Sequence, residues 1–113
     1  MPKKKNEADD VFHLSPLEED FLTLLIGREL YGLEITAAFS DATEGKRKIS
    51  LGSLYPTLHK LEKKGYVTSR WGDEMPEERG GARRRYYKAT GLGERALHET
   101  QIRRQRLATW QPA

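Results

Sequence analysis

The stretch GSLYPTLHKLEKKGYV, residues 52–67, combines a helical apolar period with a proline in an early turn and a glycine near its end. Leu51, Leu54, Leu58 and Leu61 are spaced three, four and three apart, which predicts one inward stripe on a helix. The outward positions are then Gly52, Ser53, Pro56, Thr57, His59, Lys60 and Lys63, with Tyr55 on the flank and Ser50 just before the helix. Small and polar residues stand towards the N-terminal half and cations towards the C-terminal half. Pro56 has no N–H and crowds the carbonyl of residue 52, here a glycine, so the early turns are expected to be slightly irregular. Glycine, serine and proline are poor helix formers, and a face that is only solvated gains nothing from them. A face that approaches DNA does: a major groove about 12 Å wide admits a helix whose short side chains reach base edges while lysines meet phosphates. Ser53, Thr57 and His59 are candidates for the bases, with phosphate the alternative for His59, and Lys60 and Lys63 are candidates for phosphates. Tyr55 can divide its ring and hydroxyl between core and phosphate. The alternative is a merely solvated helix face.

Upstream, LSPLEEDFLTLLIG (14–27) opens a helix with Ser15 as N-cap, Pro16 at the first helical position and Glu18 three residues after the cap. Leu17, Phe21, Leu24 and Leu25 follow at helical spacing, and Gly27 suits the stop. A second short helix is expected from Tyr31 to about Phe39, with Tyr31, Ile35, Ala38 and Phe39 inward, followed by the polar connection SDATEGKRK. Downstream of Gly65 the period becomes alternating. YVTSRW (66–71) and RRRYYKAT (83–90) read as two strands joined by GDEMPEERGGA, a β-hairpin with a long tip. Arg83, Arg85, Tyr87 and Ala89 fall on one face of the second strand and Arg84, Tyr86 and Lys88 on the other, so the three arginines cannot all be buried. They are either a solubility device or, better suited to the base of a glycine-rich hairpin, a wing that follows phosphates or enters the minor groove, whereas the acidic tip DEMPEE would be repelled there. The last 23 residues read as a helix ended by Pro112, with Leu92, Ala96, Leu97, Thr100, Leu107, Ala108 and Trp110 within one broad stripe.

Charge sharpens this picture. Residues 1–45 hold four Lys/Arg against ten Asp/Glu, a balance of −6; the remaining 68 residues hold sixteen against seven, or +9, for the net +3 of the chain. A basic half most often meets a polyanion. No cysteine is present, so disulfides and thiolate metal sites are excluded, which suits a reducing cytoplasm. No apolar run approaches the roughly 18 residues of a membrane span. At 113 residues the chain suits one compact domain.

Three helices, a hairpin and a further helix form the order of a winged helix-turn-helix, a mainly helical α+β fold. YGLEI (31–35), GSLYPTLHKLEKKGYV and RRRYYKATGLGERAL (83–97) together resemble the PadR family of bacterial transcriptional regulators, over about Leu14 to Leu97. The single C-terminal helix resembles the short branch of that family, in which this helix dimerises with the first. Within the family the chain is most similar to the cyanobacterial circadian-clock modifiers of the Pex type, which repress the clock gene kaiA. The resemblance implies a sequence-specific repressor of double-stranded DNA at a palindromic operator. Arg83, Arg84 and Arg85 are then wing contacts beside Ser50, Ser53, Tyr55, Pro56, Thr57, His59, Lys60 and Lys63.

The expected organisation is a flexible polar head (1–13), whose Lys3 to Lys5 form either a groove arm or a loose tail, the winged-helix domain (14–90) and a dimerisation helix (91–113). Two-fold pairing through Phe21, Leu92, Ala96, Thr100, Leu107 and Trp110 would bury the apolar stripe and set two reading helices one DNA turn apart. A second reading is an aromatic-effector or protein-interaction module using Trp71 and Trp110 in an apolar dimer cavity. Catalysis is not expected: there is no phosphate-binding loop, no HExxH, no cysteine nucleophile, and three scattered histidines with no carboxylate pairing. No cofactor or metal is implied.

Overall fold

The computed structural model of the chain describes residues 13–73 and 83–113. The expectations for the basic head with Lys3 to Lys5 and for the acidic hairpin tip lie outside the described residues.

Helix α1 (Pro16–Leu25) begins at a reciprocal cap. The Ser15 hydroxyl accepts from the Glu18 N–H at 3.1 Å and the Glu18 carboxylate accepts from the Ser15 N–H at 2.8 Å. Gly27, at φ +79°, turns the chain out of the helix in the left-handed region that glycine alone enters freely. Strand β1 (Leu30–Tyr31) follows, then α2 (Gly32–Ala42) and α3 (Leu51–Lys63). Gly65, at φ +82°, turns the end of α3 into β2 (Val67–Trp71), which returns as β3 (Arg85–Ala89) before α4 (Gly91–Thr109).

The three strands form an antiparallel sheet in the order β1-β3-β2. Leu30 and Tyr31 face Tyr87 and Tyr86, and Val67 to Trp71 run against Ala89 to Arg85. The short β1 was not expected. Tyr31, assigned to the inward stripe of the second helix, is instead a half-buried strand residue and the N-cap of α2, and that helix runs beyond Phe39 to Ala42.

Phe21, Leu22, Leu25, Ile35, Leu54, Leu58, Leu61 and Tyr66 are fully buried where the helices and sheet meet. Each such side chain contributes about 1.5–3 kcal/mol by leaving water. Leu51 departs from its expected stripe at 59% exposure. The first turn of α3, with Leu51, Gly52 and Ser53 all exposed, stands beyond the packed body, so the buried stripe starts at Leu54.

The interface set divides in the same way. Phe21, Ala96 and Thr100 are wholly buried within the chain. Phe21 packs edge-on against Phe39 at 5.5 Å, and Ala96 and Thr100 lie on the buried side of α4, which packs against α1. These three residues therefore belong to the core and not to a partner surface. Leu92, Leu107 and Trp110 remain exposed, at 39%, 71% and 69%.

Candidate nucleic-acid interface

The start of α3 is held by Ser50, whose hydroxyl accepts from the Ser53 N–H at 3.2 Å and lies 3.4 Å from the Ser53 hydroxyl. An exposed helix N-terminus with two hydroxyls presents donors to an anion or a base edge. Pro56 lies inside the helix and gives no N–H to the carbonyl of exposed Gly52. Ser50, Ser53, Pro56, His59, Lys60 and Lys63 are exposed and Thr57 is half-buried, while Leu54, Leu58 and Leu61 face inward. The polar face expected from helical spacing is thus formed from Ser50 to Lys63.

Tyr55 stands between this face and the wing, 47% exposed. It lies so close to the start of α2 that a Cβ on Gly32 would sit 2.5 Å from the Tyr55 hydroxyl and 3.2 Å from the Leu54 side chain. Glycine at 32 is what lets α2 and α3 approach there. A cleft of about 600 Å³ opens beside it, bounded by Tyr31, Tyr55, Trp71, Tyr87 and the three arginines of the wing. Burial pushes the Tyr87 phenol above its ordinary range, so this residue is a neutral wall of the cleft.

The arginines alternate as the strand period requires. The Arg83 guanidinium lies 5.7 Å from the Trp71 ring centroid and donates to the Gly72 carbonyl at 3.2 Å, and Arg84 lies 4.6 Å from that of Tyr31. Both are exposed, with their guanidinium groups set against aromatic rings. Arg85 differs: it lies 5.1 Å from Trp71, donates through Nε to the Ser69 hydroxyl at 3.0 Å and stands 3.6 Å from the Glu62 carboxylate.

Other charges are engaged within the fold in ways that spacing did not reveal. Arg70 grips Glu29 with two hydrogen bonds of 2.8 and 2.9 Å and stacks on Tyr86; these bonds hold the Glu29 carboxyl below its usual range. Arg47 pairs with Asp20 at 3.2 Å, and Lys64 meets buried Glu18 at 2.9 Å. No signal in the local sequence marks these pairs, whose partners stand 27 to 46 residues apart. Among the described residues no group of three or more His, Cys, Asp or Glu is placed to hold a metal ion, and no helix is long and apolar enough to cross a membrane.

A three-helix core with an exposed third helix and an arginine-edged hairpin beside it defines a winged helix-turn-helix DNA-binding domain. Residues 21–99 match the transcriptional regulator PadR-like family, and the chain belongs to that family, whose members act on DNA as transcription regulators and not as enzymes. An uncharacterised protein of Lysinibacillus sphaericus is 32% identical over 83 residues, covering 74% of this chain and 72% of the relative. The PadR-like transcription factor of Bacteroides fragilis superposes with a TM-score of 0.70 at 28% identity, over 81% of this chain and 82% of that one. PadR of Bacillus subtilis, solved in complex with operator DNA, superposes with a TM-score of 0.67 at 26% identity, over 89% of this chain and 51% of that one.

Proposed function

We propose that the chain is a cytoplasmic, dimeric repressor that lays α3 in the major groove of a palindromic operator and sets the wing on the flanking backbone. The observation that carries this reading is the continuous surface formed by the polar face of α3 and the stacked, exposed Arg83 and Arg84. Ser53, Thr57 and His59 stand at base-edge positions, Ser50, Tyr55, Lys60 and Lys63 at phosphate positions, and Pro56 gives no N–H to the Gly52 carbonyl. Occupying an operator within a promoter would block transcription sterically.

Dimerisation rests on Leu92, Leu107 and Trp110, apolar side chains that a single copy leaves in water. Sedimentation at micromolar concentration is expected to return twice the chain mass, and a monomer would reject the pairing. The motifs shared with the Pex branch make the kaiA promoter the first operator to test. Footprinting there and on the chain's own upstream region is expected to show a two-fold protected site; uniform protection of all DNA would refute sequence-specific repression. Exposed Trp110 also supports an aromatic effector in a cavity between two α4 helices. Trp71, 49% exposed beside Arg83 and Arg85 in the wing, is the second aromatic of that reading. Heat evolved when planar aromatic compounds are added, abolished in Trp110→Ala, would support it.

A further inference from the structure

We propose that Arg85 is a positioning residue and not a DNA contact: through Ser69 and Glu62 it fixes the pitch of the wing against the recognition helix α3. The inference rests on the reading that both α3 and the wing engage DNA.

One carboxylate, one hydroxyl and one guanidinium join three elements here. Glu62 stands in the last turn of α3, Ser69 in the middle of β2 and Arg85 at the start of β3. The Ser69 hydroxyl donates to the Glu62 carboxylate at 2.6 Å, a length typical of a charge-assisted bond. The same Ser69 oxygen accepts from Arg85 Nε at 3.0 Å, while Arg85 Nη2 stands 3.6 Å from that Glu62 oxygen. The Trp71 ring, 5.1 Å away, takes one face of the guanidinium. The plane of Arg85 is therefore constrained by its Nε bond and by one face.

Charge points the same way. Glu62 is flanked by Lys60, Lys63 and Lys64, in the element that carries the polar face, and a carboxylate there opposes attraction to phosphate. Its placement is explained by what it holds. The Glu62–Arg85 pair has nearly no net charge, so it releases few counterions when DNA binds. Both side chains are more than a third exposed or close to it, at 34% and 40%, so the pair adds little to overall stability and acts on geometry. The lever is long enough to matter. A five-residue strand at about 3.3 Å per residue reaches about 16 Å, so a tilt of about 10° at its root moves the far end by about 3 Å, a full hydrogen-bond length.

The test uses a duplex selected by the wild-type chain from a randomised pool, with a random duplex as control, titrated by fluorescence anisotropy over a range of salt. Arg85→Ala and Glu62→Ala are each expected to weaken binding to the selected duplex about tenfold, the range of a lost hydrogen bond to a charged group. The slope of log affinity against log salt is expected to stay unchanged, and the double variant to be no worse than either single one. Ser69→Ala removes one oxygen, keeps the backbone, and is expected to shift affinity in the same direction, which serves if Glu62→Ala does not fold. Two results would overturn the proposal: a slope flatter by about 0.9 in Arg85→Ala, which marks a phosphate contact, or tighter binding in Glu62→Ala, which marks simple repulsion. If Lys60→Ala and Arg83→Ala also leave binding to both duplexes unchanged, the interface reading itself fails, and the proposal falls with it.

Discussion

Two glycines in one helical turn are expected to respond in opposite directions to the same substitution. Gly91 and Gly93 both lie in the first turn of α4, after the N-cap Thr90. Around Gly91 nothing stands within 4 Å of an added Cβ, so Gly91→Ala gains about 0.5 kcal/mol from helix propensity and a less mobile unfolded chain. At Gly93 the added Cβ would run into the Tyr66 carbonyl and come within 3.1 Å of the Leu22 side chain. That carbonyl cannot yield cheaply. It accepts from the Thr90 N–H at 2.9 Å, and the Thr90 hydroxyl donates to the Gly65 carbonyl at 2.6 Å, so the turn from α3 into β2 is tied to the start of α4. Overpacking costs about 1–3 kcal/mol, and straining a buried hydrogen bond adds about 1 kcal/mol. After subtracting a propensity gain of up to about 1 kcal/mol, Gly93→Ala is expected to lose about 2 kcal/mol net. At about 4 °C per kcal/mol for a domain of this size, the melting temperature should fall by about 8 °C in Gly93→Ala and rise by about 2 °C in Gly91→Ala. Thermal unfolding followed by circular dichroism, at one protein concentration, measures both. A Gly93→Ala chain as stable as the parent would refute the claim that α4 is seated by backbone contact at this position.

Glu18 makes stability depend on acid pH. Burial raises its carboxyl pKa, but the Ser15 N–H, Lys64 and the Ser15 hydroxyl together hold it below the ordinary range. The folded state therefore takes up this proton less readily than the unfolded state, and the stabilisation is present above the ordinary carboxylate pKa and lost as pH falls through the depressed one. Urea midpoints between pH 3 and 7 should fall on the acid side, with a shallower fall in Glu18→Gln; identical acid limbs would contradict this. Replacing Ser53, Thr57 or His59 by Ala should cost about 1–3 kcal/mol on the preferred duplex and little on random DNA, and equal losses on both would reassign that residue to phosphate. Arg83→Ala should flatten the salt slope of binding by about 0.9 with its circular dichroism unchanged, whereas an unaltered affinity and slope would return this arginine to the solvated surface.

Much of the architecture is carried by local patterns. The capping box at Ser15 and Glu18, the leucine period of α3, the glycine stop at Gly65 and the alternation through Arg83 to Ala89 each depend on neighbours a few residues away, and each is legible without tertiary information. The polar face from Ser50 to Lys63 follows from helical arithmetic for the same reason. Its exposed end does not: Leu51 has the spacing of a core residue, and only the way α3 projects from the packed body leaves it in water. Strand β1 is two residues long, too short for any period, and exists because Tyr86 and Tyr87, more than fifty positions later, supply its partners.

The same division runs through the candidate site. Three consecutive arginines announce a basic wing, but their roles separate only in three dimensions. Arg83 and Arg84 stack on aromatic rings and stay exposed, while Arg85 reaches back to Ser69 and Glu62. Phe21, Ala96 and Thr100 belong to apolar helical stripes whichever surface covers them, and packing of α4 on α1 within one chain is what took them away from any partner. Glu18 and Glu19 are buried although carboxylates seldom are, because Lys64 and Arg104, 46 and 85 residues further on, come within hydrogen-bonding distance. The sequence alone determined the order of elements and the basic character of the wing, since these arise from local spacing and composition. Tertiary structure decided which charges are held within the fold and which stay exposed, since a charge is neutralised by whatever the fold brings beside it, at any separation along the chain.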